Sequence, residues 1–416
     1  MEREVSFSNM NTFEIFRDNK KRDFSENDIS EHYLKLSVRC AVLKWLSLTI
    51  LAVFVIFSVK NHGDELSFDS IRYIVKYMKD EPSSLVSSGD SISYDYDSKN
   101  EIYLIGDDFA VVGSDGIRIF EFSGKVLFSD DFNYKSPVAV PFGNQLIVYD
   151  IGGKEVRFYN SFSETYRLTL ESTVYNVSVS DKETFMVQTS SEGYRSGFQI
   201  YTKNFQPFFK TNYGELTLQS SSLSPDGKYA VSACFSTTGN VVSYLKVYGT
   251  DIDTVFAECE ITGEYPVGVE FLDNENFLLF TDKGIRKYNV SLENSFSHYY
   301  WNDSPRQYKI NNGKIIITYG TSLLNESTRI EIIDLNGEKS AFEIPCTARD
   351  ILIDGDFIHV LCNGEINTYN SDFELIHSYS ISKNFSHMVK IEYGKYLLSS
   401  LDSVEMYIFD NKSEEN

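Results

Sequence analysis

The chain has 416 residues, 42% of them hydrophobic and 15% aromatic, with 28 Tyr and 31 Phe against only 8 Pro. That composition supports a sizeable buried core, excludes general disorder, and favours strands over helices. The formal net charge is -22; residues 1–60 carry nine Lys/Arg and eight Asp/Glu, and the remainder carries 29 against 52. An acidic C-terminal part repels phosphate backbones, so nucleic acid is excluded as a partner.

Residues 1–39 are polar and mixed in charge, a solvated cytoplasmic tail. The segment 40–59, CAVLKWLSLTILAVFVIFSV, holds one charge, Lys44. Twenty residues rising about 1.5 Å each span a hydrocarbon core of about 30 Å, which predicts a transmembrane helix. Lys44 lies near one end, where its stem can snorkel, and Trp45 suits the interface beside it. The long polar lead and the missing small-x-small site argue against a cleaved signal peptide. Lys35, Arg39 and Lys44 on the N-terminal side predict a cytoplasmic N-terminus and an extracytoplasmic acidic domain in the cell membrane.

Residues 60–90 read as a stalk. Ile71, Ile74, Val75 and Met78 form one apolar stripe of a short helix over about 69–79, stopped by Pro82. Pro82 to Asp90 is a Ser/Gly-rich linker.

From residue 91 the chain repeats itself. A polar turn opens onto an apolar strand at Phe109, Leu146, Phe185, Tyr229, Phe277, Ile315, Phe357 and Tyr396, in steps of 37 to 48 residues. A second series, Phe120, Tyr159, Tyr201, Tyr248, Tyr288, Ile333, Tyr369 and Phe409, keeps phase with it. A period near forty with several strands per unit marks the blades of a β-propeller. The fold expected is therefore all-β, an eight-bladed propeller over 91–410 with seven blades as the alternative, anchored by one N-terminal helix and followed by a tail, 411–416. The last copy ends at Phe409 without room for a fourth strand. Ser91 to Asp97 alternates like a strand, and the ring is expected to close by its pairing into that last blade.

Ser224-Pro225-Asp226-Gly227-Lys228-Tyr229 matches the S-P-D-G-[KR]-Y turn of many bacterial propellers, where Pro fixes φ, Asp bonds its own backbone and Gly accepts a positive φ. On this motif and the repeat, residues 91–410 resemble the YVTN-type and quinoprotein-like propeller superfamily. The whole layout also resembles single-pass membrane propeller proteins of unknown function from clostridia and related bacteria. Quinone-dependent members carry many blade tryptophans. Here only Trp45 and Trp301 occur, so that cofactor is not carried over.

No catalytic, cofactor-binding or metal-binding residue stands out. His32, His62, His298, His359, His377 and His387 form no ligand pair, and His359 reads as a strand residue between Ile358 and Val360. Cys40 sits at the membrane edge, and Cys234, Cys259, Cys346 and Cys362 show no zinc-like spacing and read mainly as buried strand residues, with one disulfide allowed but not indicated. Asp354-Gly355 reads as a hairpin turn, and Asp95, Asp97, Asp251, Asp253 and Asp356 as loop solvation. The sequence points to a non-catalytic scaffold that binds envelope or membrane proteins or cell-wall polymers, without a cofactor. The alternative is an extracytoplasmic polysaccharide hydrolase or lyase using carboxylates at the propeller mouth. A third reading, by likeness to the lipid-anchored assembly-factor propellers of Gram-negative bacteria, conflicts with the helical anchor.

Overall fold

The computed structural model describes residues 37–50, 53, 91–95, 97–236, 242–252, 254–300, 303–320, 327–392 and 394–409. The chain divides into two compact units, Met1–Ile71 and Arg72–Asn416. In the first, 37–50 is helical with every residue exposed, and Thr49 Oγ1 donates to the Trp45 carbonyl (2.8 Å). Among the described residues no helix is long and apolar enough to cross a membrane. The second half of the expected span, the tail and the stalk helix lie largely outside them.

The second unit is a ring of eight four-stranded antiparallel sheets. Blades 1 to 7 cover 101–131, 137–169, 174–213, 217–262, 266–299, 305–344 and 350–380. In each, the four strands follow one another as a meander from the innermost outward. Blade 8 takes three strands from the C-terminus, His387–Glu392, Lys395–Ser399 and Ser403–Ile408. Its outermost strand is Ser91–Ser93, with Ser91 opposite Glu405 and Ser93 opposite Ser403. The expected closure is found, and the seven-blade alternative falls. Side chains pin the junction. The Tyr94 hydroxyl reaches the carbonyls of Ser400 (2.8 Å) and Ser403 (2.9 Å), and Lys383 Nζ donates to Ser91 Oγ (2.8 Å) and pairs with Glu405 (2.9 Å).

A blade is apolar on both faces and must bury both, so the core forms between blades. Eight apolar clusters are found among the described residues, one in every gap of the ring. The gap between blades 8 and 1 holds Ile102, Phe109, Val111, Phe120 and Phe122 against Leu397, Val404 and Met406. The two recurring series of the sequence are the second and third strands of the blades. Phe109 pairs with Phe120, Leu146 with Tyr159, Phe185 with Tyr201, Phe277 with Tyr288 and Ile315 with Ile333. The turn at Ser224–Tyr229 joins the first two strands of blade 4. Gly227 there has φ 72°, and Ser224 Oγ donates to Asp226 Oδ1 (2.9 Å).

Cys234 is buried in the second strand of blade 4, as expected, whereas two other cysteines depart from expectation. Cys346, in the connection between blades 6 and 7, is disulfide-bonded to Cys362, which follows the second strand of blade 7, with Cα atoms 6.2 Å apart. The pair was not signalled by any cysteine motif; the hairpin of the first two strands of blade 7, with Asp350 opposite Leu361, brings the two together. A crosslink with a sequence separation of 16 contributes roughly 3 kcal/mol by restricting the unfolded chain. Replacing Cys346 and Cys362 by Ala is expected to lower the urea-unfolding free energy by about that amount. An unchanged midpoint would show that the thiols are not joined.

Candidate functional site

All eight innermost strands run side by side around the central axis and begin at the same end of the ring. By the meander, the blade-to-blade connections and those between second and third strands also lie at this end, called here the entry face. Four consecutive blades carry a β-bulge in the innermost strand. Tyr175 is the extra residue between the pairs Val174–Thr189 and Asn176–Gln188 in blade 3, and Gln219 between Leu218–Cys234 and Ser220–Ala233 in blade 4. Val267 lies between Pro266–Thr281 and Gly268–Phe280 in blade 5, and Arg306 between Pro305–Tyr319 and Gln307–Thr318 in blade 6. The register is the same in all four. A bulge re-aims a side chain out of the pleat, and all four residues are exposed, Tyr175 and Val267 at 44% each.

These side chains sit on a polar and aromatic floor. The Tyr265 hydroxyl donates to Gln219 Oε1 (2.9 Å), and the Tyr265 ring lies 4.7 Å from that of Phe235. The Arg306 side chain lies against Gly320, where a Cβ would come within 3.1 Å of Nε. One side of the ring thus presents a hydroxyl, an amide, an aliphatic group and a guanidinium on rigid strands.

Deeper along the same strands, side chains cap the free edge of the next blade. Ser178 Oγ accepts the Leu223 N–H (2.9 Å), Ser222 Oγ accepts the Phe271 N–H (3.3 Å), and Asn311 Oδ1 accepts the Ile353 N–H (2.7 Å). Asp350 Oδ2 accepts the Met388 N–H (2.9 Å), and Asp350 Oδ1 accepts from Lys309 Nζ (2.8 Å). An innermost strand is an edge strand, and these bonds satisfy groups that its own sheet leaves unpaired.

Asp354 corrects a sequence expectation. Gly355 does occupy a turn, with φ 62°, but Asp354 ends the innermost strand of blade 7 as a buried residue. Lys390 Nζ donates to Asp354 Oδ1 (2.6 Å) and the Tyr396 hydroxyl to Oδ2 (2.5 Å). Having spent its one proton there, Tyr396 accepts from His359 Nε2 (3.1 Å), and His359 Nδ1 accepts from Thr368 Oγ1 (2.9 Å). The relay therefore has one consistent proton arrangement, with neutral His359. Burial pulls the imidazole down to about 4, with the Asp354 charge opposing and the Lys390 charge assisting. Burial works to raise the Asp354 carboxyl, but hydrogen bonds from Lys390 and Tyr396 hold it below its ordinary value. The relay ties blade 7 to blade 8.

Comparable ion pairs stitch other gaps. Arg157 lies 5.7 Å from the ring centres of Phe132 and Tyr134 and pairs with Asp130 (3.2 Å) and Glu155 (2.9 Å). His298 Nε2 stands 3.3 Å from Glu331, which also accepts from the Tyr319 hydroxyl (3.0 Å) and pairs with Lys339 (3.9 Å). Asp97, expected in a solvated loop, accepts from the N–H and hydroxyl of Ser114 (2.6 Å each). Asp95, Asp251 and Asp356 are exposed, His377 lies on the outer strand of blade 7, and His387 on the innermost strand of blade 8. His32, His62, Asp253 and Trp301 lie outside the described residues. The sulfurs of Cys346 and Cys362 lie near the Glu365 carboxylate, but a disulfide offers no thiolate to a metal. The cavity bounded by Lys314, Ile353, Asp356 and Phe373 holds about 60 Å³, space for water alone.

No curated protein matches the sequence. Solved structures of similar fold include Kuenenia stuttgartiensis hydrazine synthase, 12% identical over 66% of this chain and 95% of that one with a TM-score of 0.45. A eukaryotic initiation factor is 12% identical over 80% of this chain and 89% of that one with a TM-score of 0.51. At this identity the likeness concerns the fold alone. The family model that matches, over residues 81–407, spans the whole ring, and the chain belongs to the family of unknown function DUF5711.

Proposed function

We propose that this protein is a single-pass membrane protein with a cytoplasmic N-terminus, whose extracytoplasmic propeller is a non-catalytic scaffold for another envelope or membrane protein. The contact is the entry face of blades 3 to 6. The observation that carries this reading is the fourfold bulge in one register. Rigid scaffolds present recognition groups at such interrupted strands, and bulges are devices that re-aim side chains. The positive charges preceding the 40–59 segment support the orientation, and the Cys346–Cys362 disulfide suits an oxidising compartment. The Ser224–Tyr229 turn supports kinship with YVTN-type propellers as part of the same proposal.

A specific feature favours binding over polysaccharide cleavage. A glycosidase needs two carboxylates free to face one bond, whereas among the described innermost strands Asp350, Asp354 and Glu392 are each engaged by a lysine and Glu101 by the Tyr103 hydroxyl, which leaves Glu270 as a single carboxylate.

The test is affinity purification of the tagged full-length protein from crosslinked membranes. Tyr175→Ser combined with Val267→Ser is expected to lower recovery of a specific partner about tenfold, the loss of a typical interface anchor. Lys182→Ser, at the opposite end of blade 3, should leave recovery unchanged. Equal recovery with both variants would remove the entry face from the account.

A further inference from the structure

The connection between blades 6 and 7 and the hairpin of blade 7 bring three metal-ligating groups to one spot at the entry face. Cys346 lies in that connection, and Cys362 and Glu365 flank the turn between the second and third strands of blade 7. One ligand atom from each lies within 4.8 Å of the other two. The fold sets each position. The Cys362 N–H donates to the Glu365 carbonyl (2.9 Å) across Asn363 and Gly364, and Gly364 closes the turn at φ 77°. Thr328, buried on the third strand of blade 6, donates its hydroxyl to the Cys346 carbonyl (2.9 Å) and accepts the Ala348 N–H (3.0 Å), which holds the connection in place.

The carboxylate is oriented as well. Buried Asn367 donates Nδ2 to Glu365 Oε1 (2.9 Å), and the Ser378 hydroxyl reaches Oε2 (3.5 Å). The same Asn367 Nδ2 stands 3.9 Å from Cys362 Sγ. Among the described residues no ion pair engages Glu365. Cys362 and Glu365, two residues apart across a tight turn, have the spacing at which zinc sites commonly hold two of their ligands. Cys346 adds a third from outside the hairpin. Joined, the two sulfurs satisfy each other; parted, they become two thiolates beside a carboxylate.

We propose that Cys346, Cys362 and Glu365 form a redox-controlled zinc site, shut while the sulfurs are joined and holding a single Zn²⁺ once a dithiol has reduced them. The inference does not depend on the contact assigned to blades 3 to 6. Cys346 is partly exposed and Cys362 is buried, so a thiolate of the dithiol attacks the Cys346 sulfur and Cys362 leaves as a thiolate. The second thiol of the reductant then displaces Cys346. The reductant has given two electrons and departs as a disulfide. Zn²⁺ takes both sulfurs as thiolates, and two protons are released in all. Two sulfur ligands favour Zn²⁺ over Mg²⁺ or Ca²⁺, and three protein ligands leave its fourth position to water. The connection after blade 6 is thereby tied to the blade 7 hairpin in both redox states, through sulfur in one and through the metal in the other.

The experiment uses purified full-length protein, oxidised or reduced with a water-soluble phosphine, and measures zinc affinity by equilibrium dialysis. The expected result is one Zn²⁺ per reduced chain beyond what the oxidised chain takes up. Affinity should fall at least tenfold in Glu365→Gln and about tenfold in Asn367→Ala, the usual cost of removing a group that orients a ligand. Co²⁺ in place of Zn²⁺ should show thiolate charge-transfer absorption in the reduced protein only. Glu365→Gln keeps the disulfide, so it separates loss of a ligand from loss of the fold. Unchanged affinity in that variant would overturn the inference. Zinc retained in Cys346→Ser combined with Cys362→Ser would do the same, placing the metal on Cys40, Cys234 or Cys259.

Discussion

A propeller domain that begins at residue 98 is expected to lose about 5 kcal/mol of unfolding free energy relative to one that begins at residue 83. The difference is the closing strand. Ser91–Ser93 supplies the fourth strand of blade 8, and without it the strand Ser403–Ile408 becomes a bare edge. Ile92 and Tyr94 pack against the cluster between blades 8 and 1. Each apolar side chain withdrawn from water contributes roughly 1.5–3 kcal/mol. The Tyr94 bonds to the Ser400 and Ser403 carbonyls, and the Lys383 bond to Ser91, are lost as well. Urea unfolding of the two truncations reads the difference. Equal midpoints would mean that the N-terminal strand does not close the ring.

Acid is expected to weaken the domain well above the range in which carboxylates titrate. His359 is held neutral by burial, with its value pulled from 6.5 to about 4. Between those two values the unfolded chain binds a proton that the folded chain refuses. Stability is therefore full above about pH 6.5 and falls as the pH drops toward 4. A tenfold difference in proton affinity between the folded and unfolded chains corresponds to about 1.4 kcal/mol, so the loss over that window is about 3 kcal/mol. Asp354, held low by Lys390 and Tyr396 against the effect of burial, adds a further loss only at lower pH. Unfolding measured across pH 7 to 4 should show the slope in the wild-type chain and a flattened one in His359→Gln. An identical slope in the variant would place the responsible group elsewhere.

Much of the ring was legible in the sequence because a blade cannot bury its faces alone. Its apolar strands therefore recur with the period of the stack. The phase of Phe109 to Tyr396 with Phe120 to Phe409 reflects cross-strand pairs such as Phe185–Tyr201. The closure was legible because the last repeat lacked a strand and the first was preceded by one.

The proposed contact face was not legible. A bulge adds one residue to one strand, and connections that vary by several residues between copies hide it. Tyr175, Gln219, Val267 and Arg306 also share no side-chain chemistry, so no motif joins them. The relay escaped for a different reason. Asp354 and His359 belong to blade 7 and Lys390 and Tyr396 to blade 8, about a full repeat away, and only closed geometry brings them together. Asp354-Gly355 read locally as turn chemistry, which holds for Gly355 and misses what the Asp354 carboxylate binds.

The most direct test of the binding account is hydrogen–deuterium exchange on the full-length protein, free and with its crosslink-identified partner bound. Slowed exchange confined to 172–179, 217–223, 265–271 and 305–311 is the predicted result. Protection of the outermost strands, or of the turns at the opposite end around Ser224–Tyr229, would contradict it.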